Sequence, residues 1–256
     1  MTAAVALLPD SVPAAAAAAV VFASFFTSAL TGAFGLGGGL ALLAVMSALL
    51  PAAAVVPVHG LSQLGSNASR FFLQRRDVDW TIVVWFAAGS AVGSAAGGSI
   101  YVALPETALK AAVGAFVLYT VWGPKPQGFA PGSLSFLATG AVGGFLSMFF
   151  GATGPITASM LGETRLGRLN IVATHAACMT FQHLLKSIAF GALGFAFHDW
   201  APLLVAVIAS GFLGTAFGVR MLKRMPEERF RHGFRIVLTF FGCYLLSGTV
   251  LDLVKR

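Results

Sequence analysis

The chain has 256 residues, of which 57% are hydrophobic and 10% are charged, and its formal net charge is +7. Ordinary soluble domains have about 25% charged residues, so this composition excludes a soluble globular enzyme, a disordered chain and a collagen-like fibre. Long stretches contain no Asp, Glu, Lys or Arg, and the first of them runs from Ser11 to Ser69. Because about 20 apolar residues span a bilayer, we predict an all-α polytopic membrane protein.

In chain order, the first half begins with two apolar segments that are separated by glycines. The N-terminal stretch before them has no Lys or Arg, so we do not expect a cleaved secretory signal. Helices are predicted at about 12–33 and 40–50, and then at about 54–73, 80–102 and 106–122. A loop at 123–128, rich in glycine and proline, ends this half.

The second half follows the same order. Apolar segments at 133–150 and 155–161 are separated by a second break that contains glycine. Further spans are predicted at about 170–194, 200–220 and 233–254. We therefore divide the chain into a first transmembrane repeat at 1–123, a central linker loop at 124–132 and a second transmembrane repeat at 133–256.

An internal repeat supports this division. The hexapeptide at 34–39, Phe-Gly-Leu-Gly-Gly-Gly, recurs 116 residues later at 150–155 as Phe-Gly-Ala-Thr-Gly-Pro. Further along the chain the offset becomes 121, which predicts a five-residue insertion in the loop before Trp200. The first offset also relates three pairs of polar residues, namely His59 and His175, Asn67 and His183, and Arg70 and Lys186.

The loop charges predict that the two repeats have opposite orientations. The loop at 70–76 carries three arginines, whereas the corresponding loop at 187–199 has no Lys or Arg. The loop at 220–235 carries six basic residues, whereas its counterpart at 102–110 has only a lysine. Basic loops face the cytoplasm, so corresponding loops are expected on opposite sides of the membrane. Such inverted repeats need an odd number of crossings in each half, which favours a broken or re-entrant glycine-rich hairpin plus three transmembrane helices.

The glycine breaks are candidate binding sites. Backbone that leaves the helical pattern at membrane depth is tolerated only inside protein or beside a water-filled cavity. A helix that begins at such a break presents free N–H groups and partial positive charge, which together favour an anion. Close packing of small residues is the structural alternative. The candidate backbone donors are Gly37, Gly38, Gly39, Thr153 and Gly154.

A stripe of polar residues follows each break at helical spacing, so that its members share one helix face. Met179 stands in the second stripe where Gln63 stands in the first. Ionisable residues inside a membrane usually face a cavity or a partner, so these side chains are candidates for binding an anion. The stripes consist of His59, Gln63, Ser66, Asn67 and Arg70 in the first half, and of His175, Gln182, His183 and Lys186 in the second.

Several of these residues have specific expected roles. Arg70 and Lys186 are expected to supply positive charge at the two mouths of the pathway, although Arg70 could instead snorkel to the cytoplasmic interface. His59 and His175 are candidates for proton coupling, with hydrogen-bonded core histidines as the structural alternative. Small-residue ridges on two later spans are expected to pack helices, and they consist of Gly89, Gly93 and Gly97, and of Gly214 and Gly218.

Four segments carry a resemblance to a known family. Residues 32–39 read Gly-Ala-Phe-Gly-Leu-Gly-Gly-Gly, and residues 55–60 read Val-Val-Pro-Val-His-Gly. Their counterparts at 143–155 and 170–175 read Gly-Gly-Phe-Leu-Ser-Met-Phe-Phe-Gly-Ala-Thr-Gly-Pro and Asn-Ile-Val-Ala-Thr-His. Over nearly its whole length the chain resembles the sulfite exporter TauE/SafE family of membrane transporters. Two departures are Thr153 within the second glycine run and the histidines at the ends of the later segments, where many members carry small hydroxyl residues.

The resemblance implies transport of sulfur-containing anions such as sulfite, sulfoacetate or other organosulfonates. We expect a secondary transporter in the inner (plasma) membrane, which holds its anion at the midplane and works by alternating access. Export is the simpler direction, because an anion leaves a negative interior without a coupling ion. The alternatives are proton-coupled uptake, an anion channel, and an intramembrane enzyme that uses His175 and Cys178. Expected partners are a small anionic substrate and the lipid bilayer, with a homodimer left open, and neither nucleic acid, a metal nor a cofactor is expected.

Overall fold

The computed structural model describes residues 12–34, 37–101, 131–151 and 153–221, together with isolated positions between 111 and 124 and between 236 and 247. Within these residues the chain is helical and forms no β-strand. The helices of the first half are α1 (Ala14–Phe34), α2 (Gly38–Leu49), α3 (Ala52–Leu73) and α4 (Trp80–Tyr101). Those of the second half are α5 (Ser133–Phe150), α6 (Gly154–Gly162), α7 (Arg168–Ala192) and α8 (Ala201–Met221). Short 3₁₀ turns at Arg75–Asp77 and Phe197–Trp200 precede α4 and α8.

Four stretches of the described chain are long and apolar enough to cross a membrane. Three lie in α1, α4 and α5, and the fourth comprises the 3₁₀ turn before α8 and most of α8 itself. Helices α3 and α7 are longer than a typical span, at 22 and 25 residues, but their polar stripes make them less apolar. The prediction of an all-α polytopic membrane protein is confirmed. The spans predicted at 106–122 and 233–254 lie mostly outside the described residues.

Both predicted breaks interrupt a helix, and glycine explains why. Gly37 separates α1 from α2 with φ 100°, and Gly151 separates α5 from α6 with φ 76°. Side chains rarely adopt such positive φ angles, whereas glycine adopts them freely. Pro155 lies in the first turn of α6, where a missing N–H and a fixed φ suit the start of a helix. The local sequence therefore explains why the chain is interrupted between α1 and α2 and between α5 and α6.

The helix bounds repeat at the predicted offset. Helix α3 shifted by 116 residues begins where α7 begins, and α4 shifted by 121 begins where α8 begins. Three of the five extra residues lengthen the end of α7 and two lengthen the connection to α8, so the insertion is not confined to the loop. The opposite orientation of the two halves stays a prediction.

Helix contacts also come in corresponding pairs. The central helices α3 and α7 pack against each other, while α1 packs along α8 and α5 packs along α4. The first helix of each half thus lies against the last described span of the other half. Because the halves pack against each other in this way, both breaks lie beside the central helices α3 and α7.

The glycine ridges bring backbones into direct contact, as predicted. A Cβ atom on Gly93 would lie 2.0 Å from the carbonyl oxygen of Ala141, where α4 meets α5. A Cβ atom on Gly214 would lie 2.0 Å from the carbonyl oxygen of Phe25, where α8 meets α1. Approach this close is open only to glycine, which explains how long apolar helices pack tightly without a hydrophobic effect between them.

We predict that Gly93→Ala lowers the thermal stability of the purified protein in detergent. The added methyl group forces two backbones apart, and overpacking of this kind costs about 1–3 kcal/mol. Gly98→Ala on the same helix is the control, because its Cβ would meet only side-chain ends, 3.3 Å from Leu193 Cδ1 and 3.4 Å from Met148 Cε. Equal unfolding midpoints for the two variants would show that this helix contact is not as close as described.

Candidate functional site

A pocket lies where the two helix breaks meet the central helices, and the space in it and at its open side that protein atoms leave empty amounts to about 370 Å³. We call it the central pocket. The first break lines it with Thr31, Gly37, Gly39 and Leu40, and the second break lines it with Gly154 and Pro155. The central helices complete the wall with His59, Gln63, Asn67 and Arg70 from α3, and with His175, Met179 and His183 from α7.

Most of the candidate site residues therefore converge on one place. The other five candidates are Gly38, Ser66, Thr153, Gln182 and Lys186, which do not line the pocket. Sequence reasoning named Met179 only as the replacement for Gln63 in the second stripe, and it missed Thr31, Leu40 and Pro155 as pocket residues. Their proximity to the breaks was the available signal, because a ligand at a helix start also meets the residues that flank it.

The start of α2 supplies backbone donors to the pocket. The first intrahelical bond runs from the N–H of Ala41 to the carbonyl of Gly37, at 3.3 Å. Among the described residues, no group accepts a hydrogen bond from the N–H groups of Gly38, Gly39 and Leu40, and no side chain caps this end. Gly38 itself packs against α1, since a Cβ there would lie 1.8 Å from the carbonyl oxygen of Thr27. Helix α2 thus directs free N–H groups and the positive end of its dipole toward the pocket.

The start of α6 is poorer in donors. Pro155 has no N–H, and the N–H of Ile156 donates to the carbonyl of Thr153 at 3.0 Å. Of the first three residues of α6, Gly154 alone has an N–H without an acceptor among the described residues. The hydroxyl of Thr153 does not cap the helix, because it donates to the carbonyl of Gly143 at 3.3 Å and accepts from Gln182 Nε2 at 2.7 Å. Thr153 and Gln182 therefore brace the second break rather than line the pocket.

Two histidines tie the short helices to the central pair. His59 Nε2 donates to the carbonyl of Gly39 at 2.9 Å, and His175 Nε2 donates to the carbonyl of Gly154 at 3.1 Å. A carbonyl only accepts, so Nε2 carries the proton in both rings. Each histidine is buried, and each fixes the first turn of the short helix in its own half. Their candidate role in proton coupling stays a prediction.

His183 has a different environment. It is buried in the pocket wall, and its Nδ1 has no hydrogen-bond partner among the described residues. Its ring centroid lies 6.1 Å from that of His59, with the two rings at 80° to each other. Unlike the other two histidines, it holds no backbone carbonyl. Its ring is therefore available to a ligand in the pocket.

The two buried cations contact the helices that end at the breaks. The Arg70 guanidinium donates to the carbonyl of Thr31, near the end of α1, at 3.3 Å, and also to Asn67 Oδ1. Lys186 Nζ donates to the carbonyl of Gly151, just after α5, at 2.7 Å. Helix ends leave carbonyls unpaired and carry partial negative charge, so a cation stabilises them. Gly60 makes room for this lysine, because a Cβ there would lie 2.7 Å from Lys186 Cε.

These positions correct two expectations. Arg70 is 4% exposed and Lys186 is 0% exposed, so neither cation lies at an open mouth of the pathway. The snorkelling alternative for Arg70 is also wrong, since its guanidinium turns inward to Thr31 and the pocket. The expectations failed because a broken helix end offers a buried cation a closer partner than the membrane interface does.

The pocket chemistry suits an anion. Its wall combines backbone N–H groups, the Arg70 guanidinium and imidazoles, and no Asp or Glu lines it. No group of three or more His, Cys, Asp or Glu that could hold a metal occurs in the described part of the chain. Cys178 is buried in an apolar cluster with Phe86 and Leu161 and does not line the pocket.

Comparison with known proteins agrees with this chemistry. The model of the family described as "Sulfite exporter TauE/SafE" matches residues 20–245. A Haemophilus influenzae protein named "Probable membrane transporter protein" is 32% identical to this chain over 217 residues, which are 80% of this chain and 84% of that relative. No solved structure matches.

We predict that Thr153→Val destabilises the protein whereas Thr157→Val does not. Both hydroxyls are fully buried on or beside α6, but Thr153 bonds Gly143 and Gln182 while Thr157 Oγ1 has no partner among the described residues. Valine keeps the shape and removes the hydroxyl, so the first change leaves buried groups unpaired at a cost of about 1–3 kcal/mol. Thermal unfolding of both variants in detergent measures the difference. Equal midpoints would contradict the bracing role of Thr153.

Proposed function

The chain belongs to the sulfite exporter TauE/SafE family of membrane transporters. From this membership we propose that it is a secondary transporter for a small sulfur-containing oxyanion, such as sulfite, sulfoacetate or another organosulfonate, in the inner (plasma) membrane. The substrate binds in the central pocket between the two helix breaks. Both breaks come from one chain, so the proposal needs no second copy.

One observation carries the proposal, namely a pocket that joins a helix N-terminus to a guanidinium and that no described Asp or Glu lines. The N–H groups of Gly39 and Leu40, which have no acceptor among the described residues, donate to the oxygens of an oxyanion, as helix starts commonly do. Arg70 adds a charge-assisted donor, and His183 adds an imidazole without a partner among the described residues. Such a site compensates a negative charge that would otherwise be costly at membrane depth.

The broken helices support alternating access as the mechanism. The breaks at Gly37 and Gly151 are places where backbone angles can change without a side-chain penalty, so the paired short helices can tilt against the central helices. The bonds from His59 and His175 to the first turns hold the short helices against the central pair, so such a movement has to break or exchange them. The anion is thereby exposed to one side of the membrane at a time.

Export is the proposed direction. Moving one negative charge out of a cell whose interior is 100 mV negative releases about 2.3 kcal/mol, so no coupling ion is needed. Proton-coupled uptake is a second candidate. It is favoured by the Nδ1 atoms of His175 and His183, which are buried without partners among the described residues and can take up a proton with the anion.

Counterflow in proteoliposomes tests the proposal. Vesicles loaded with unlabelled sulfite or a small organosulfonate should accumulate the labelled anion from outside with saturable kinetics, which a channel does not produce. We predict that Arg70→Gln lowers this flux roughly tenfold or more, because it removes a charged donor. Arg76→Gln is the matched control, since Arg76 is exposed in the turn after α3 and does not line the pocket.

Arg70 also contacts the end of α1, so folding is checked separately. Helicity and a monodisperse elution profile are measured for each variant, and Arg70→Lys retains the charge while losing the planar guanidinium. Intermediate flux in Arg70→Lys is expected. Wild-type flux in well-folded Arg70→Gln, or an absence of counterflow for every sulfur anion tested, would reject the proposed function. An imposed pH gradient in the same vesicles distinguishes export from proton-coupled uptake.

A further inference from the structure

The central pocket has two chemically different walls, and we propose that Met179 makes it select an anion with a short carbon substituent over an inorganic oxyanion. The inference deepens the proposed function and rests on it. Met179 is thus a specificity-determining residue, and the substrate class it favours is an organic anion with one oxyanion group and a small apolar tail.

The first half of the chain builds the polar wall. The free N–H groups at the start of α2 lie on this side, and α3 adds Gln63, Asn67 and the Arg70 guanidinium. Gln63 lies close to the glycines of the break, because a Cβ on Gly39 would be 3.2 Å from its Oε1. Asn67 Nδ2 donates to the backbone carbonyl of Gln63 at 2.8 Å and to its side-chain Oε1 at 3.4 Å, and the second bond joins the two amides. An oxyanion group is satisfied on this side.

The apolar wall is the part of the lining that Pro155 and Met179 of the second half form. Pro155 brings a ring and no N–H, and Met179 brings a thioether that is 2% exposed. Met179 Sδ would lie 3.9 Å from a Cβ on Gly154, so the sulfur stands at the start of α6, where His175 Nε2 is also close, at 3.5 Å from the same Cβ. Of the polar groups of this half, Thr153 and Gln182 bond each other and Gly143, while His175 and His183 line the pocket one turn before and one turn after Met179 on α7.

The internal repeat shows what Met179 changes. It occupies the position that Gln63 occupies in the first half, so an amide donor on one wall is replaced by a thioether of similar length on the other. A thioether is a weak acceptor and offers no hydrogen to an oxygen. Sulfate is tetrahedral and leaves an oxygen against Met179 and Pro155. Sulfite is pyramidal and can turn its three oxygens to the polar wall, but it has no carbon group to fill the space beside Met179 and Pro155. An anion with a carbon tail places its oxygens on the polar wall and its tail on the apolar one.

Competition in the counterflow assay tests the inference. Ethanesulfonate and sulfite are compared as inhibitors of labelled organosulfonate exchange, and the measured quantity is the ratio of their half-inhibitory concentrations. For the wild type we expect ethanesulfonate to compete at a concentration about tenfold lower than sulfite, which is the discrimination that one or two carbon groups typically give. Met179→Gln restores the amide found in the first half and should bring the ratio close to one.

Two variants serve as controls. Met179→Leu keeps the wall apolar and should keep the wild-type ratio, while Met160→Gln makes the same change at a partly buried methionine of α6 that does not line the pocket. A wild-type ratio in folded Met179→Gln overturns the inference, and so does a wild type that prefers sulfite, even if Met179→Gln fails to fold. In both cases saturable counterflow leaves the proposed function standing. Absence of counterflow for both anions rejects the proposed function and the inference together.

Discussion

The structure depends on one constraint, which is that every backbone polar group inside the membrane needs a partner within the protein. Two helices break in the middle of an apolar bundle, so four helix ends expose carbonyls or N–H groups there. The central helices supply the missing partners. Arg70 and Lys186 take carbonyls where α1 and α5 end, and His59 and His175 take carbonyls where α2 and α6 begin. Among the described residues at the two helix starts, the N–H groups of Gly39, Leu40 and Gly154 are without an acceptor, and all three residues line the pocket.

The same side chains therefore hold the fold together and shape the site. A buried cation is expensive in a membrane, and its contact with a carbonyl at a helix end offsets part of that cost. Arg70 does this while lining the pocket, whereas Lys186 does it outside the pocket. The surrounding helices contribute by close approach, because their glycine ridges let α4 and α8 contact their neighbours through backbone atoms. Loss of transport in a variant of these residues has to be separated from loss of the helix break that they stabilise.

Sequence patterns were sufficient for the helices, the two breaks and the convergence of the polar stripes. Charge-free stretches, glycine runs and spacings of three and four residues act locally, so they can be read without tertiary contacts. The hydrogen-bond partners of individual side chains could not be predicted in this way. Thr153 turns to Gly143 and Gln182, and Lys186 reaches Gly151 across a gap made by Gly60. Each of these contacts depends on how distant segments pack. The five-residue insertion was also divided between α7 and its connection, because extending a helix by almost one turn costs little.

The central claim is that the pocket between the two breaks binds an oxyanion through the start of α2. A crystal structure of the protein with 2-bromoethanesulfonate, located by the anomalous signal of bromine, tests it most directly. The claim predicts one sulfonate with its oxygens within hydrogen-bond distance of the N–H groups of Gly39 and Leu40 and of the Arg70 guanidinium. A sulfonate bound elsewhere while this pocket stays empty at a saturating concentration would contradict it.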